Sequence, residues 1–190
     1  MSMDRRRQVL VKALQDSDET VRSAAAEALE KLEIRAKKGY FEGLIDKGEK
    51  LEKLRAVYAL SGLRGQDILD VLVKALKDPV EDVRAASLRV LGKIGDRRVL
   101  PDIIERLKDP SFIVERVAVE ALGSYREPEV VVPLLQMLKS KDAGVIENAL
   151  LVISRVGDKR AEEAMIYFAV KGNARMKAVA MKALGMMDVS

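Results

Sequence analysis

The chain aligns with itself every 31 residues, without an insertion or deletion, through six consecutive blocks. One column of that alignment reads Leu29, Leu60, Leu91, Leu122, Ile153 and Leu184, and a neighbouring one reads Ala25, Ala56, Ser87, Ala118, Ala149 and Ala180. A fixed period of roughly 20 to 50 residues marks units that cannot bury their apolar faces alone and must stack on one another. The expected fold is therefore all-α: an α-α superhelix of six antiparallel helix pairs in a single domain, 1–190. Its repeats are expected at 1–32, 33–63, 64–94, 95–125, 126–156 and 157–187, with a short tail at 188–190.

The third block shows why each unit should be two helices. Ile68, Val71, Leu72, Ala75 and Leu76 fall on one stripe at helical spacing, and Asp70, Lys74 and Lys77 take the wet side. Pro79 after Asp78 stops that helix, because proline lacks an amide donor and disfavours helical geometry in the residue before it. Val83, Ser87, Val90, Leu91 and Ile94 form a second stripe. The small residue in the Ala25 column lets neighbouring helices approach closely. Asp18, Ser111, Asp142 and Asn173 share one position ahead of the second helix, where a side-chain oxygen can cap orphan amides. Asp96 and Asp158 hold the equivalent place ahead of first helices, and Pro128 suits a first helical position.

Two blocks depart from the pattern. The second places Gly39, Glu42 and Gly43 in its first helix, which should make that helix the softest. The sixth carries Met176, Met181, Met186 and Met187 on or beside its last helix, an apolar end open to self-association.

The stretches DETVRSAAAEALEKL, EDVRAASLRVLGKIGD and FIVERVAVEALGSY resemble HEAT-like repeats, in particular the short form named after phycobilisome lyase subunits. The resemblance rests on the joint register of Val21, Arg22, Ala25, Ala28 and Leu29 with their repeats and extends over all six blocks. It implies a solenoid whose second helices line the concave side. It also implies that the Arg22 and Arg84 column, with Lys53 and Lys177, pairs with turn aspartates such as Asp16, Asp18, Asp78 or Asp109.

Composition narrows the chemistry. The 190 residues contain no cysteine, histidine or tryptophan, which removes thiolate and imidazole chemistry and zinc sites built on those ligands. No cofactor or metal is expected. No apolar run approaches the roughly 18 to 20 residues that span a bilayer, so a soluble, cytoplasmic protein without membrane contact is expected. The net charge of +4 is too small for a dedicated nucleic-acid binder. The segment from Gly43 to Lys50 has Glu49 where a phosphate-cradling loop requires lysine. Carboxylate pairs such as Asp102 with Glu105, or Glu162 with Glu163, read as solvated helix surface.

Function is then expected from what varies. At 100° per residue, the equivalents of Ser23 and Glu27 lie opposite the core stripe of the second helix. These positions hold Leu54, Tyr58, Arg89, Arg116, Glu120, Glu147, Leu151 and Lys182, a face that changes character at nearly every step. The leading expectation is a non-catalytic scaffold or adaptor that binds another protein there, with Leu54, Tyr58 and Leu151 as apolar anchors. An alternative is polyanion or nucleic-acid binding along a basic edge at the entrances to first helices. That edge comprises Arg5, Arg6 and Arg7, then Arg35, Lys37 and Lys38, then Arg97 and Arg98, with Lys159 and Arg160 beyond. A third reading, implied by the resemblance, is a lyase-like or chromophore-handling subunit.

Overall fold

The computed structural model describes residues 3–187, so the tail at 188–190 lies outside the described residues. The chain divides into two compact units, Met1–Val71 and Leu72–Ser190. Among the described residues there are twelve α-helices and no strand.

In the first unit, α1 (Met3–Ala13) packs on α2 (Glu19–Ala36), and α3 (Lys38–Lys47) packs on α4 (Lys50–Ala59). Asp18 starts α2 as expected, its carboxylate accepting from the amides of Thr20 and Val21. The end of α2 departs from the expected boundary at residue 32, since the helix runs on through Ala36. The cause is local. Where Gly95 and Gly157, just past the third and fifth repeats, take the left-handed conformation with φ of 66° and 70° and end the second helices before them, the equivalent residue after the first repeat is Glu33, which gives no such stop. Gly39 and Gly43 are accommodated within α3 without interrupting it. The segment around Gly48 is a helix end, not a phosphate loop: the Gly48 amide returns to the Leu44 carbonyl, and Glu49 begins α4 with its amide on the Glu52 carboxylate at 2.9 Å.

The helix α5 (Gln66–Ala75) buries the stripe read from sequence, with Ile68 and Leu72 fully covered. The second unit continues with α6 (Glu81–Ile94), α7 (Leu100–Glu105), α8 (Phe112–Leu122), α9 (Val131–Met137), α10 (Ala143–Val156), α11 (Glu162–Lys171) and α12 (Ala174–Leu184). Its second helices lie side by side, α6 on α8, α8 on α10 and α10 on α12, while α7, α9 and α11 pack on α8, α10 and α12 respectively. The first helices α7 and α9 are short; 3-10 turns stand on both sides of α7 and ahead of α9. Pro101 and Pro128 open those helical stretches where a missing amide costs nothing.

The repeating columns become the core. Leu91, Leu122 and Ile153 are fully buried, as are Ser87, Ala118, Ala149 and Ala180. Each such leucine contributes roughly 1.5–3 kcal/mol by leaving water. Ser87 satisfies its hydroxyl by donating to the Val83 carbonyl at 2.9 Å. The close approach expected between second helices is tightest where Gly92 faces Ala121: a Cβ on Gly92 would lie 2.9 Å from the Ala121 Cα.

Polar ties cross the steps between repeats. Arg84 donates to both carboxylate oxygens of Asp109 at 2.9 and 2.8 Å, and to the carbonyls of Asp78 and Pro79 in its own turn. Arg22 instead places its guanidinium on the carbonyls of Asp16 and Ser17, not on a turn carboxylate. The residue one period after Asp16 is Lys47, so the position that Asp109 fills for Arg84 offers Arg22 no acid. Asp142 and Asn173 cap α10 and α12 as expected. Ser111 precedes α8 but caps no amide, because its hydroxyl is drawn to the Glu81 carboxylate of the preceding repeat.

Candidate functional site

The outward face of the second helices follows from the way they pack. On a helix with neighbours on both sides, the exposed sector narrows to the side opposite its first-helix partner. In the second unit the position equivalent to Glu27 gives Arg89, Glu120 and Lys182, all exposed, and Leu151, half-buried. The position equivalent to Ser23 is less open. Arg116 is exposed, but Glu147 is half-buried and Ala85, at the same place in the third repeat, is buried. Glu147 accepts from the Asn173 side chain at 3.0 Å and pairs with Arg175 at 3.2 Å, so it ties α10 to the start of α12. Because α6, α8, α10 and α12 lie side by side, Arg89, Arg116, Glu120 and Lys182 fall in one row of mixed sign. In the first unit, α4 exposes Tyr58 to 49% and leaves Leu54 half-buried.

The basic residues at the helix entrances are largely matched by carboxylates. Arg98 folds onto Asp96 at 2.6 Å, and Arg160 onto Asp158 at 2.6 Å, with a further bond from Arg160 to the Pro128 carbonyl. These hydrogen bonds hold the Asp96 and Asp158 carboxyls down at about 2 and raise the Arg160 guanidinium above its usual value. Arg7 reaches Glu33 at 3.5 Å, and Asp67 sits 3.6 Å from Arg35 and 3.8 Å from Lys38. Arg5, Arg6, Lys37 and Arg97 are exposed. Glu105, half of one carboxylate pair, is held by Arg106 at 2.7 Å. Among the described residues no group of three or more acids could hold a metal ion, and no helix is long and apolar enough to cross a membrane.

Two features escaped the sequence reading. Phe112, at the start of α8, is 68% exposed beside Glu115, Lys141 and Asp142. It is the first residue of its helix, ahead of the stripe by which periodicity reports burial. The second is a convergence of Arg6, Lys31, Arg35 and Arg64 around an open depression in the first unit. Lys31 and Arg64 stand 33 residues apart, at different positions of the 31-residue period.

The family model described as HEAT repeats matches residues 38–123 and 100–185, and that of the single HEAT repeat matches residues 7–32. The chain belongs to the HEAT repeat family. Its fold is accordingly all-α and of the HEAT-like solenoid class. No curated protein matches this HEAT repeat chain. Among solved structures, it is similar to a designed armadillo repeat protein in complex with the peptide (KR)4, at 18% identity and a TM-score of 0.62, covering 94% of this chain and 98% of that one. A computationally designed armadillo repeat protein for modular peptide recognition matches at 18% identity and a TM-score of 0.61, over 94% and 98% of the two chains. The complex of CpcE and CpcF of phycocyanin lyase from Nostoc sp. PCC7120 matches at 20% identity and a TM-score of 0.55, over 94% of this chain and 76% of that one.

Proposed function

We propose that this HEAT repeat protein is a non-catalytic scaffold or adaptor that binds another protein through the outward face of its second helices. The observation that carries the reading is the row on α6, α8 and α12, where Arg89, Arg116, Glu120 and Lys182 stay exposed and differ in sign while the core columns beneath them are fully buried. A constant frame with variable exposed positions suits recognition, and alternating charge favours specificity over bulk affinity. Leu151 supplies an apolar patch within that row. Tyr58, with Leu54 beside it, supplies an amphipathic anchor on the first unit. The designed neighbours bind or are built to recognise peptides, which supports the same use of this fold.

The basic edge is the weaker candidate, because Arg7, Arg35, Lys38, Arg98 and Arg160 each have a carboxylate close by. Self-association through the C-terminal end has one supporting observation: Met181 and Met186 are 60% and 77% exposed.

A photo-crosslinking amino acid placed at Tyr58, Arg89, Glu120 or Lys182, and at Lys74 or Lys108 as controls on first-helix surfaces, tests the reading in the native cell. Crosslinks to one protein from the second-helix positions, lost when Arg116→Glu is added, are the expected result. Crosslinks that arise only from the control positions would overturn it.

A further inference from the structure

The overrun of α2 gathers two residues of the expected basic edge, Arg6 and Arg35, with Lys31 and Arg64 into a basic depression. Its extra turn carries Arg35 over the turn that follows α4, where the Arg35 guanidinium donates to the Arg64 carbonyl. Arg64 in turn donates to the carbonyls of Leu63 at 3.0 Å and Ser61 at 3.4 Å. These acceptors are neutral: they fix the two guanidiniums in place without cancelling their charge, which on Arg35 is offset in part by Asp67 and on Arg64 stands whole. Arg6 from α1 and Lys31 from α2 complete the rim. Against these four cations stand Glu27, on Lys31, and Asp67, 3.6 Å from Arg35. Among the described residues no carboxylate lies within 4.0 Å of Arg6 or Arg64. The floor is apolar. Leu10 and Leu32 are half-buried and Leu63 is buried beneath the rim, in an open hollow of about 430 Å³.

We infer that this hollow binds an acidic peptide segment of a partner protein, seating one apolar side chain on Leu10, Leu32 and Leu63 while flanking carboxylates meet Arg6, Lys31, Arg35 and Arg64. Two properties select that occupant. An aliphatic floor has nothing to offer a bare phosphate or a nucleic-acid backbone, and it lacks the aromatic platform on which bases stack. An open hollow with a charged rim covers one face of a chain segment, whereas a small-molecule site encloses its ligand. Guanidiniums suit carboxylates through paired, charge-assisted hydrogen bonds. The inference rests on the reading of the chain as a protein-binding module and adds a second contact surface, made of other residues than the second-helix row.

The test is a fluorescence anisotropy titration of the full chain with a labelled eight-residue peptide of alternating glutamate and leucine. Comparison peptides carry lysine for glutamate, or serine for leucine, and poly(U) RNA serves as a polyanion without apolar side chains. The glutamate–leucine peptide is expected to bind best, and more weakly as sodium chloride rises from about 0.05 to about 0.3 M. In a variant combining Arg6→Gln with Arg64→Gln, both on exposed side chains, its Kd is expected to rise about tenfold, while Arg116→Glu leaves it unchanged. Amide resonances of Leu10, Leu32, Leu63 and Arg64 are expected to shift on binding, a readout that needs no variant to fold. Equal binding of the lysine or serine peptide, tighter binding of poly(U), or no binding would overturn the inference. So would shifts confined to α6, α8 and α12, an outcome that leaves the second-helix reading intact.

Discussion

Arg84 and Asp109 lock the third repeat to the fourth through a two-pronged contact, Nε to one carboxylate oxygen at 2.9 Å and a terminal nitrogen to the other at 2.8 Å. Both residues are buried, and each nitrogen of the guanidinium has an acceptor. The same guanidinium reaches the carbonyls of Asp78 and Pro79, and Asp109 also accepts the Ser111 amide. Burial opposes ionisation of Asp109, but the bonds from Arg84 and Ser111 outweigh it and hold the carboxyl below its ordinary value.

Removing one half of this contact strands the other. Arg84→Ala leaves the buried Asp109 carboxylate with only the Ser111 amide and Arg106 at 3.7 Å, and is expected to cost towards the lower end of about 3–5 kcal/mol, measured as a lowered urea midpoint. The double variant Arg84→Met with Asp109→Leu carries no stranded charge. It is expected to lose less than either Arg84→Ala or Asp109→Ala, because charge desolvation is removed together with attraction. A double variant as unstable as the sum of the two singles would show that the pair acts through its separate backbone bonds.

The acid limb of stability follows from carboxyls held down in the folded state, three buried or paired aspartates among them. Asp96 and Asp158 are held at about 2, and Asp109 is also lowered, from an ordinary 3.8. A carboxyl depressed by folding stabilises the native state above its unfolded value and loses that contribution as pH falls through its folded value. Stability should therefore fall from just under pH 4 towards about pH 2. Paired Asp96→Asn and Asp158→Asn changes should lower the melting temperature at about pH 5 yet leave it matching the parent at about pH 2. Parallel curves across that range would refute the assignment.

Glycines of opposite consequence lie in neighbouring repeats. A Cβ added at Gly39 or Gly43 meets nothing within 4 Å, so Gly39→Ala and Gly43→Ala should each stabilise α3 by up to about 1 kcal/mol. Gly92→Ala drives a methyl to within 3.0 Å of the Ala121 Cβ, where α6 and α8 touch, and should destabilise by about 1–3 kcal/mol. Chemical denaturation of the three variants gives the signs directly.

The buried columns were legible because a 31-residue period reports them repeatedly: Ser87 and Leu91 could be placed in the core from Ala25 and Leu29 alone. What escaped depends on single departures from that period. Glu33 in place of a stop glycine lengthens α2 and brings Arg35 to Arg64, a contact that no column encodes. Ser111 has the right residue type and position for a cap, but a carboxylate 30 residues earlier competes for its hydroxyl. The Ser23 position seemed as exposed as the Glu27 position on an isolated helix. Stacked helices cover more than one stripe, which is why Ala85 is buried and Glu147 is engaged.

The step from the fourth repeat to the fifth lacks the Arg84 type of lock, and that absence can be repaired. Glu115 occupies the arginine column, with Ser140 where Asp109 stands one repeat earlier. Burial and the nearby Asp142 charge raise the Glu115 carboxyl above its ordinary 4.5. A raised acid works against folding when ionised and ceases to do so as pH falls through its folded value towards 4.5, opposite in sign to the three aspartates. Stability should therefore rise slightly from neutrality towards about pH 5 before the aspartates take over. Glu115→Gln should remove that rise and stabilise the protein at neutral pH. Glu115→Arg should do more, by about 1 kcal/mol, since a guanidinium there can reach the Asp109 and Pro110 carbonyls as Arg84 reaches those of Asp78 and Pro79, and gains Asp142 as a counter-charge. A urea midpoint at neutral pH no higher for Glu115→Arg than for Glu115→Gln would mean that the fourth turn does not offer its carbonyls as the third does.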